Sequence, residues 1–422
     1  MRILWFCNTP CCALEIISNQ KGISGGWLDT LSTELSHINN IELHIGFYWY
    51  SPLSSFQHKG IYYHPIFLKD NKNKLSRWYK RLKSNIFINQ FNPDLLLNIV
   101  NKTKPDIIHI HGTEEDFGLI ANYIKSIPIT ISIQGFLSSI HCKLFAGIPY
   151  NKVLKYESIF SKINQTGAFT TERNMRSRCS REQNILKQIQ YIIGRTDFDR
   201  YCSLIYNPKR RYFKVNEIMR TVFFQNKWEK ESFSSRFTIT TTISNGLYKG
   251  LEMIYNTSNL LKQCKMNFSW EIIGLNSFDN QVKTIEKYTQ LNAKDLNIKF
   301  MGRQNATQIC EILQKADLYC QTSHIENSSN STCEAMVLGM PIIASYAGGT
   351  LSLITHHKTG VLVQDGDPYA LGGAIIEISQ SFKKAKEMGD EARKFAFENF
   401  SAQHVVNELL KTYHDIINIT NI

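Results

Sequence analysis

Short apolar runs of strand length alternate with amphipathic segments along most of the chain. The first half contains RILWFC, IELHIGFYW, DIIHIHG, ITISIQG and IQYIIGR, and the second half contains FTITTTIS, FSWEIIG, IKFMG, ADLYCQT, PIIASY and GVLVQ. Strands and helices that alternate in this way predict parallel sheets with helices on both faces. A chain of 422 residues is too long for one ordinary core, so we expect two doubly wound α/β domains.

A break in this alternation separates the two predicted domains. Residues 206–235 have no clean hydrophobic period and carry proline and many charges, which is typical of a connecting segment. We therefore predict an N-terminal domain at residues 1–205 and a C-terminal domain at residues 236–400. A last helical stretch is predicted at about residues 390–417, and a C-terminal helix at residues 401–422 is expected to pack back on the N-terminal domain.

The composition is that of a globular protein and excludes several other classes. It is 43% hydrophobic and 20% charged, and no run approaches the roughly 18 consecutive apolar residues of a transmembrane helix. The apolar run in MRILWFCNTP is too short for a secretory signal and predicts a first strand. The net charge of +12 favours acidic partners, namely nucleic acid, anionic lipid or phosphorylated small molecules.

The cysteines give no sign of a metal site or a disulfide framework. All ten occur without CxxC pairs and without histidines at zinc spacing. We therefore expect buried free thiols in a reducing cytoplasm.

The segment HIENSSNSTCEAMVLGMPIIASYAGGT, residues 324–350, contains a predicted short helix. Ser331 to Glu334 fit the capping-box pattern S/T-x-x-E at a helix start. The helix is expected to run through CEAMVL, to stop at Gly339 and to be followed by Pro341, which cannot continue it. Its unpaired N–H groups and positive dipole end form an anion site at the carboxyl edge of a parallel sheet.

Two glutamates, Glu326 and Glu334, stand eight residues apart around this helix start. One interpretation makes Glu334 a capping residue and Glu326 a solvated loop acid. In the other, the acids bind hydroxyl groups while the helix start binds a phosphate, as a sugar nucleotide requires.

The stretch ADLYCQTSHIENSSNSTCEAMVLGMPIIASYAGGT, followed by TGVLVQDGDPYALGGAI, resembles the C-terminal half of the retaining glycosyltransferases of family 4. E-x7-E, EAM-x-x-G-x-P-x-x-A-S, a Gly-Gly turn, G-x-L-V and a downstream Asp occur in the family's order. The resemblance implies a GT-B fold, with two Rossmann-like domains and an interdomain cleft. It also implies a UDP- or GDP-sugar donor, bound mainly on the C-terminal domain.

The resemblance assigns roles to the residues of this segment. Glu326 would bind hydroxyls of the donor sugar, and Glu334 would bind the ribose hydroxyls. Amides at the helix start would face the diphosphate, and they belong to Ser329, Asn330, Ser331 and Thr332. The chain has NSSNS where the family usually has a Gly-Phe-Gly-like stretch, which leaves the identity of the donor sugar open.

Lys249 follows a predicted strand directly and stands at the opening of a helix. A cation is disfavoured at a helix start, so a plain surface lysine explains this position poorly. The lysine resembles the family residue that neutralises the donor diphosphate. The family often has an arginine about six residues earlier; this chain has ISNG there, and Ser244 or Asn245 would assist instead. Arg303, after the IKFMG strand, is assigned to the same donor-binding set.

Further candidates lie in the first half of the chain. Gly25 and Gly26, in the first strand-to-helix loop, would let the backbone approach a phosphate, although a plain turn explains them equally. His109 and His111 lie two apart and point to one face of a strand. They are core or edge histidines, or His111 lines the cleft as the resemblance implies. Gln134 stands where the family often has histidine and is assigned to the acceptor side.

Two Asp-x-Asp sequences are interpreted as helix starts. Asp367 precedes Pro368, which is the pattern of an N-cap followed by proline. The second, Asp197-Phe198-Asp199, would be capped by Thr196 or Asp197. We expect neither a metal nor a cofactor besides the donor, because Lys249 and helix dipoles would balance the diphosphate charge.

Residues 69–85 hold seven Lys or Arg with Trp78 and Tyr79 between them. This segment is either a solvated loop and helix face or a patch that binds an anionic membrane surface. Nucleic acid is not expected as a partner, because no recognition motif accompanies the patch.

The resemblance therefore implies a metal-independent, retaining hexosyltransferase with Lys249, Glu326 and His111 as its catalytic set. The acceptor would be a glycan or lipid-linked sugar in surface polysaccharide synthesis, such as capsule. We expect the protein in the cytoplasm or at the inner face of the cell membrane. A GT-B nucleotide-sugar epimerase and a non-catalytic basic membrane or nucleic-acid binder stay open as alternatives.

Overall fold

The computed structural model describes residues 1–18, 26–68 and 91–420. The contacts divide the chain into two compact units. Unit 1 comprises Met1–Ser138, Arg173–Ile218 and Ser401–Ile422, and unit 2 comprises Ser139–Glu172 and Met219–Phe400. Each unit is built around its own sheet.

The described residues contain two sheets, of eight and six strands. The eight-stranded sheet has the order β3-β4-β2-β1-β5-β6-β7-β8, and the six-stranded sheet has the order β11-β10-β9-β12-β13-β14. Among the described strands, only β3 runs antiparallel to its neighbour. The strands are β1 (Arg2–Cys7), β2 (Glu42–Trp49), β3 (Phe56–His58), β4 (Ile61–Phe67), β5 (Ile107–His111), β6 (Ile129–Ser132), β7 (Tyr191–Gly194), β8 (Arg211–Lys214), β9 (Phe237–Thr242), β10 (Phe268–Ile273), β11 (Ile298–Gly302), β12 (Leu318–Gln321), β13 (Ile342–Tyr346) and β14 (Val361–Gln364).

Helices connect most of the parallel strands, as right-handed crossovers require. The α-helices of the described residues are α1 (Leu14–Ser18), α2 (Trp27–Ser36), α3 (Pro93–Thr103), α4 (Leu137–Cys142), α5 (Tyr150–Tyr156), α6 (Ile159–Ile163), α7 (Ala168–Gln188), α8 (Asp197–Tyr206), α9 (Thr221–Phe224), α10 (Leu251–Gln263), α11 (Asn280–Thr289), α12 (Ala306–Lys315), α13 (Asn330–Leu338), α14 (Pro368–Ser379), α15 (Phe382–Phe400) and α16 (Ala402–Thr420). Short 3-10 turns are Cys11–Ala13, Phe117–Asn122, Leu247–Lys249, Lys294–Leu296 and Gly348–Ser352.

Unit 1 buries both faces of its central strand. Trp5 of β1 packs in a cluster with Tyr413 of α16. The neighbouring Leu4 and Phe6 pack in a different cluster, which contains Leu96 of α3. Because successive side chains of a strand point to opposite faces, apolar residues at every position require helices on both sides of the sheet.

Unit 2 has the same layered construction. Tyr319 of β12 packs in one core cluster, and its neighbours Leu318 and Cys320 pack in another. The strand β12 pairs in parallel with β9 and with β13, so the loops that leave the carboxyl ends of these strands lie at one edge of the sheet.

Most of the predicted strands occur where the apolar runs stand. The helical stretch predicted at residues 390–417 is helical except for a break at Ser401 between α15 and α16, and α16 lies within the predicted C-terminal helix at residues 401–422. The strand β8 lies within the predicted linker and was missed, since charged RYFK at a sheet edge has no apolar period.

The units and the predicted domain ranges do not divide the chain at the same points. Residues 139–172 pack in unit 2, and residues 206–218 pack in unit 1 with the C-terminal helix α16. The predicted domain ranges stay predictions.

Two further observations concern composition. None of the helices in the described ranges is long and apolar enough to cross a bilayer. All ten cysteines are free thiols. Six are buried, as expected, whereas Cys12 and Cys202 are partly buried and Cys142 and Cys264 are exposed. The basic segment at residues 69–85 lies outside the described residues, so its membrane interpretation stays a prediction.

Candidate functional site

The candidate site of unit 2 forms where two neighbouring parallel strands end. The chain that leaves β9 makes the 3-10 turn Leu247–Lys249 before entering α10. The chain that leaves β12 forms the loop that leads into α13. These loops meet at Lys249 and Glu326, whose Nζ and Oε1 atoms lie 2.6 Å apart.

The Lys249–Glu326 ion pair is largely shielded from water. The side chains are 18% and 14% exposed, and the Ser323 hydroxyl also donates to Glu326 Oε1, at 2.9 Å. Burial works to lower the pKa of Lys249, but the Glu326 carboxylate and Tyr248 outweigh it and raise that pKa above its usual value. Lys249 is therefore a stable ammonium group at neutral pH.

The helix start next to this pair differs in detail from the prediction. Ser329 is the N-cap of α13, and its Oγ accepts a hydrogen bond from the Thr332 amide at 3.4 Å. The predicted capping box from Ser331 to Glu334 is therefore wrong. Ser331 instead hydrogen-bonds through its Oγ to the Tyr319 hydroxyl at 2.8 Å. A loop rich in Ser and Asn offers several competing caps, and the pattern alone does not choose among them.

The helix ends where the sequence predicts. Gly339 adopts φ 79° as the C-cap of α13, a left-handed conformation that favours glycine. Residues 332–338 of this helix are buried and fix it in the core of unit 2, whereas Asn330 and Ser331 at its start are only partly buried.

Glu334 lies inside this helix and forms a bidentate ion pair with Arg220. The Nε and Nη2 atoms of Arg220 lie 2.6 Å and 2.7 Å from the two carboxylate oxygens. Burial raises the pKa of Glu334, and Arg220 offsets part of that rise. A carboxylate has about four lone-pair positions, so both oxygens can still accept hydrogen bonds from a ligand.

Arg220 was not predicted to belong to the site. It stands in the segment interpreted as a linker, among many other charges, and precedes the short helix α9. No sequence pattern distinguishes it, because its role depends on a contact across more than a hundred residues.

A second charged cluster in unit 2 centres on His324. Its Nε2 lies 2.5 Å from Glu252 Oε1, and its Nδ1 lies 2.6 Å from Asp365 Oδ1. Lys143 Nζ in turn lies 3.1 Å from Asp365 Oδ2. Burial opposes the charge, but hydrogen bonds to Asp365 and Glu252 raise the pKa of His324 to about 9. The imidazolium form is thus the stable one, and the cluster ties the Lys143 segment to the sheet of unit 2.

This cluster predicts a pH-dependent loss of stability. The pKa of His324 is about 9 in the fold and about 6.5 in an unfolded chain. The stabilisation is therefore complete below about pH 6.5 and is lost as the pH rises through about 9, with a total of at most about 3 kcal/mol.

Chemical unfolding at several pH values measures the effect. We expect His324→Gln to flatten the decline between pH 6.5 and 9, whereas the exposed His404 changed to Gln leaves it unaltered. An equal slope in wild type and His324→Gln would contradict the assignment.

His111 ends strand β5 in unit 1 and is buried. Its ring packs edge-on against Trp5, with centroids 4.5 Å apart, and against Trp27. Neither ring nitrogen has a hydrogen-bond partner among the described residues. Burial lowers the pKa of His111 to about 3, so the ring is a neutral imidazole that can exchange a hydrogen bond but supplies no charge.

The neighbouring His109 belongs to a hydrogen-bond network in the core. Its ring nitrogens lie 2.5 Å from the Tyr413 hydroxyl and 2.6 Å from the Ser132 hydroxyl, and Trp5 Nε1 donates to Tyr413 at 3.0 Å. Because the tryptophan nitrogen only donates, the Tyr413 proton is left to point at His109. His109 is thus a core residue, as one of the two interpretations held.

The other predicted residues of unit 1 lie at the ends of elements. Gly26 precedes α2 with φ 79°, and no atom lies within 4 Å of the position where a Cβ would stand. Gly25 lies outside the described residues. Gln134 follows β6, and its backbone carbonyl oxygen accepts a hydrogen bond from Arg195 Nη2 at 2.6 Å.

Three further predicted residues lie in exposed loops of unit 2. Ser244 and Asn245 follow β9, and Arg303 follows β11. Because β11 is separated from β9 by β10, the carboxyl ends of β9 and β11 stand about 10 Å apart. The assignment of these three residues to the donor-binding set stays a prediction.

Both Asp-x-Asp sequences are helix starts. Asp367 accepts hydrogen bonds from the amides of Tyr369 and Ala370. Thr196 caps α8, and Asp199 completes its capping box. Within the described residues, no group of three or more His, Cys, Asp or Glu has the arrangement to hold a metal ion.

Residues 225–395 match the family model described as glycosyl transferases group 1. This stretch resembles a group 1 glycosyl transferase domain. It contains the strands β9 to β14 and the loops of Lys249 and Glu326, so the resemblance that the motifs predicted is confirmed.

Similarity to curated proteins is limited in extent. The chain is 29% identical over 140 residues to the amylovoran biosynthesis glycosyltransferase AmsK of Erwinia amylovora. The alignment covers 31% of this chain and 33% of AmsK. The similarity therefore spans about a third of the relative's length.

Solved structures resemble the whole chain. Sucrose-phosphate synthase from Thermosynechococcus elongatus matches with a TM-score of 0.70 at 14% identity, over 99% of this chain and 100% of that chain. HepE of Anabaena, in complex with UDP and glucose, matches with a TM-score of 0.64 at 16% identity, over 98% and 99%. At such identities the likeness concerns the fold alone. The predicted class, an α/β GT-B fold with two Rossmann-like domains, is confirmed.

Proposed function

We propose that this group 1 glycosyl transferase moves a hexose-type sugar, with retention, from a nucleotide diphosphate sugar to a glycan or lipid-linked acceptor. The observation that carries the proposal is the buried Lys249–Glu326 pair beside the first turn of α13. An ammonium group and the amides at a helix start suit a diphosphate, and carboxylates suit hydroxyl groups. The pairing of both chemistries at one sheet edge favours a sugar nucleotide as ligand.

The comparisons support the choice of donor and setting. HepE, whose structure holds UDP and glucose, supports a UDP-sugar over a GDP-sugar. AmsK, a glycosyltransferase of amylovoran biosynthesis, supports a role in surface polysaccharide synthesis. We place the reaction in the cytoplasm, with membrane association left to the segment at residues 69–85.

In the proposed complex, each group of the unit 2 site contacts one part of the donor. Lys249 donates a hydrogen bond to the diphosphate and also keeps its hydrogen bond to Glu326, because an ammonium group has three hydrogens. Amides of the first turn of α13 face the same phosphates. Glu326 accepts hydrogen bonds from donor-sugar hydroxyls, and Glu334 accepts them from the ribose while Arg220 holds it in place.

The proposed transfer breaks one bond and forms another at the anomeric carbon. The bond from that carbon to the diphosphate oxygen loosens until the sugar resembles an oxocarbenium ion. The acceptor hydroxyl oxygen bonds to the carbon on the face that the diphosphate leaves, and its proton passes to the departing phosphate oxygen. Lys249 stabilises the charge that grows on that oxygen, a type of contribution worth about 3 kcal/mol.

No metal or further cofactor enters this proposal, since Lys249 and the amides of α13 supply positive charge at the leaving group. His111 is assigned to a substrate hydrogen bond. Its low pKa excludes a charged or strongly basic role at neutral pH.

A thermal-shift screen against nucleotide sugars tests the proposal. A ligand at a hundred times its dissociation constant stabilises the folded state by about 2.7 kcal/mol, so we expect UDP-sugars to raise the melting temperature. Sugar transfer from a labelled donor to a glycan or lipid-linked acceptor then tests the reaction. Formation of epimerised or free sugar in the absence of an acceptor would favour the epimerase alternative. An unchanged melting temperature with every nucleotide sugar would favour the non-catalytic binder.

A further inference from the structure

The short helix α6 of unit 2 presents its apolar side chains to solvent. Ile159, Phe160 and Ile163 are 71%, 75% and 61% exposed. Residues at these spacings share one side of a helix, so the three form one surface. Phe169, six residues further along, is 62% exposed as well.

The polar side of the same helix faces inward. Ser161 is buried, and its hydroxyl accepts a hydrogen bond from the Asn280 side chain at 3.1 Å. This is the reverse of the usual arrangement, in which apolar side chains of a surface helix face the core. A group of exposed large apolar side chains on one element marks an interaction surface.

Hydrogen bonds hold this arrangement in place at both ends. Ser158 caps α6 and accepts from the Phe160 amide. Glu157 accepts from the Ala168 amide at 2.7 Å, across the turn that follows. The exposed apolar face is therefore a formed element of unit 2.

The solvent-exposed charges around α6 are mostly positive. Residues 139–172 contain four lysines and two glutamates besides one histidine. The glutamate side chains are largely covered, with 8% of Glu157 and 21% of Glu172 exposed. Lys152, Lys155 and Lys162 are exposed. Apolar side chains flanked by lysines match the boundary between anionic headgroups and acyl chains.

We propose that α6, with Phe169 and the neighbouring lysines, docks unit 2 onto an anionic lipid bilayer. A stable protein interface buries about 800 Å² on each partner, far more than three side chains on a five-residue helix offer. A bilayer, in contrast, accepts a few inserted side chains and adds the attraction of its charge to nearby lysines. This surface is distinct from residues 69–85 and does not depend on the proposed transfer reaction.

Co-sedimentation of the full chain with vesicles tests the docking. Wild type is expected to bind vesicles of phosphatidylglycerol and phosphatidylcholine at physiological salt, and to bind pure phosphatidylcholine at least tenfold less. The double variant Phe160→Ser/Ile163→Ser is expected to lower the partition coefficient at least tenfold, and so is Lys152→Glu/Lys155→Glu.

Matched controls separate docking from general surface effects. Tyr369→Ser removes an equally exposed aromatic side chain next to acidic residues, and Lys383→Glu/Lys384→Glu reverses two exposed lysines elsewhere. Both are expected to bind as wild type does. Circular dichroism checks that each variant is folded, which exposed positions should preserve.

Three results would overturn the proposal. The first is wild type found only in the supernatant with anionic vesicles, and the second is binding of the α6 variants at the wild-type level. The third is a concentration-dependent dimer, seen by light scattering, that the α6 variants abolish while vesicle binding is unchanged. This third result would assign the face to a second copy of the chain.

Discussion

Replacement of Lys249 by alanine is expected to lower turnover at least about a hundredfold, which corresponds to about 2.7 kcal/mol of transition-state stabilisation. The ammonium group is mostly buried and paired with Glu326, so its charge acts where water screens it little. Initial rates of sugar transfer at saturating donor measure the loss.

Two controls make this prediction specific. Lys294→Ala removes an exposed lysine of the same unit and should leave the rate unchanged. Lys249→Arg restores the charge but not the geometry of a point donor, so partial recovery is expected. A near-normal rate for Lys249→Ala, in protein with an intact melting curve, would remove Lys249 from the proposed mechanism.

Glu334→Ala is expected to reduce turnover by a similar factor, about a hundredfold, because the ribose would lose its carboxylate. Its cost in stability should be modest, since the guanidinium left behind is 28% exposed and can reach water. Arg220→Met is expected to be the more damaging change to the fold. It strands a buried carboxylate, an effect of about 3–5 kcal/mol.

Unfolding free energies and transfer rates of both variants separate the two roles. Burial already raises the pKa of Glu334, and removal of Arg220 would raise it further. The stability loss of Arg220→Met should therefore shrink as the pH falls and the carboxyl group becomes neutral. Equal stability losses for Arg220→Met and Glu334→Ala at every pH would argue against a stranded charge.

The sheets were predictable because their strands are apolar on both faces. A run such as FSWEIIG leaves few alternatives to a buried parallel strand, and β10 occupies it. The edge strands β3 and β8 were missed because they are short and carry polar or charged residues. Their pairing depends on a neighbour that local sequence does not specify.

The site was predictable to the extent that its residues stand at strand ends. Lys249 and Glu326 follow β9 and β12, and the parallel order of these strands brings them together. The partners of Glu334 and of Asp365 were not foreseen. Arg220 and His324 reach these acids through tertiary contacts, and nothing in their own sequence surroundings reports such a contact.

The placement of α16 bears on how the polypeptide is made. Unit 1 includes residues from both ends of the chain, and the buried Tyr413 closes over Trp5. During translation, part of one face of the unit 1 sheet therefore stays uncovered until residues 402–420 have been synthesised. A chain cut off before α16 is expected to expose this apolar surface, which favours aggregation or capture by chaperones.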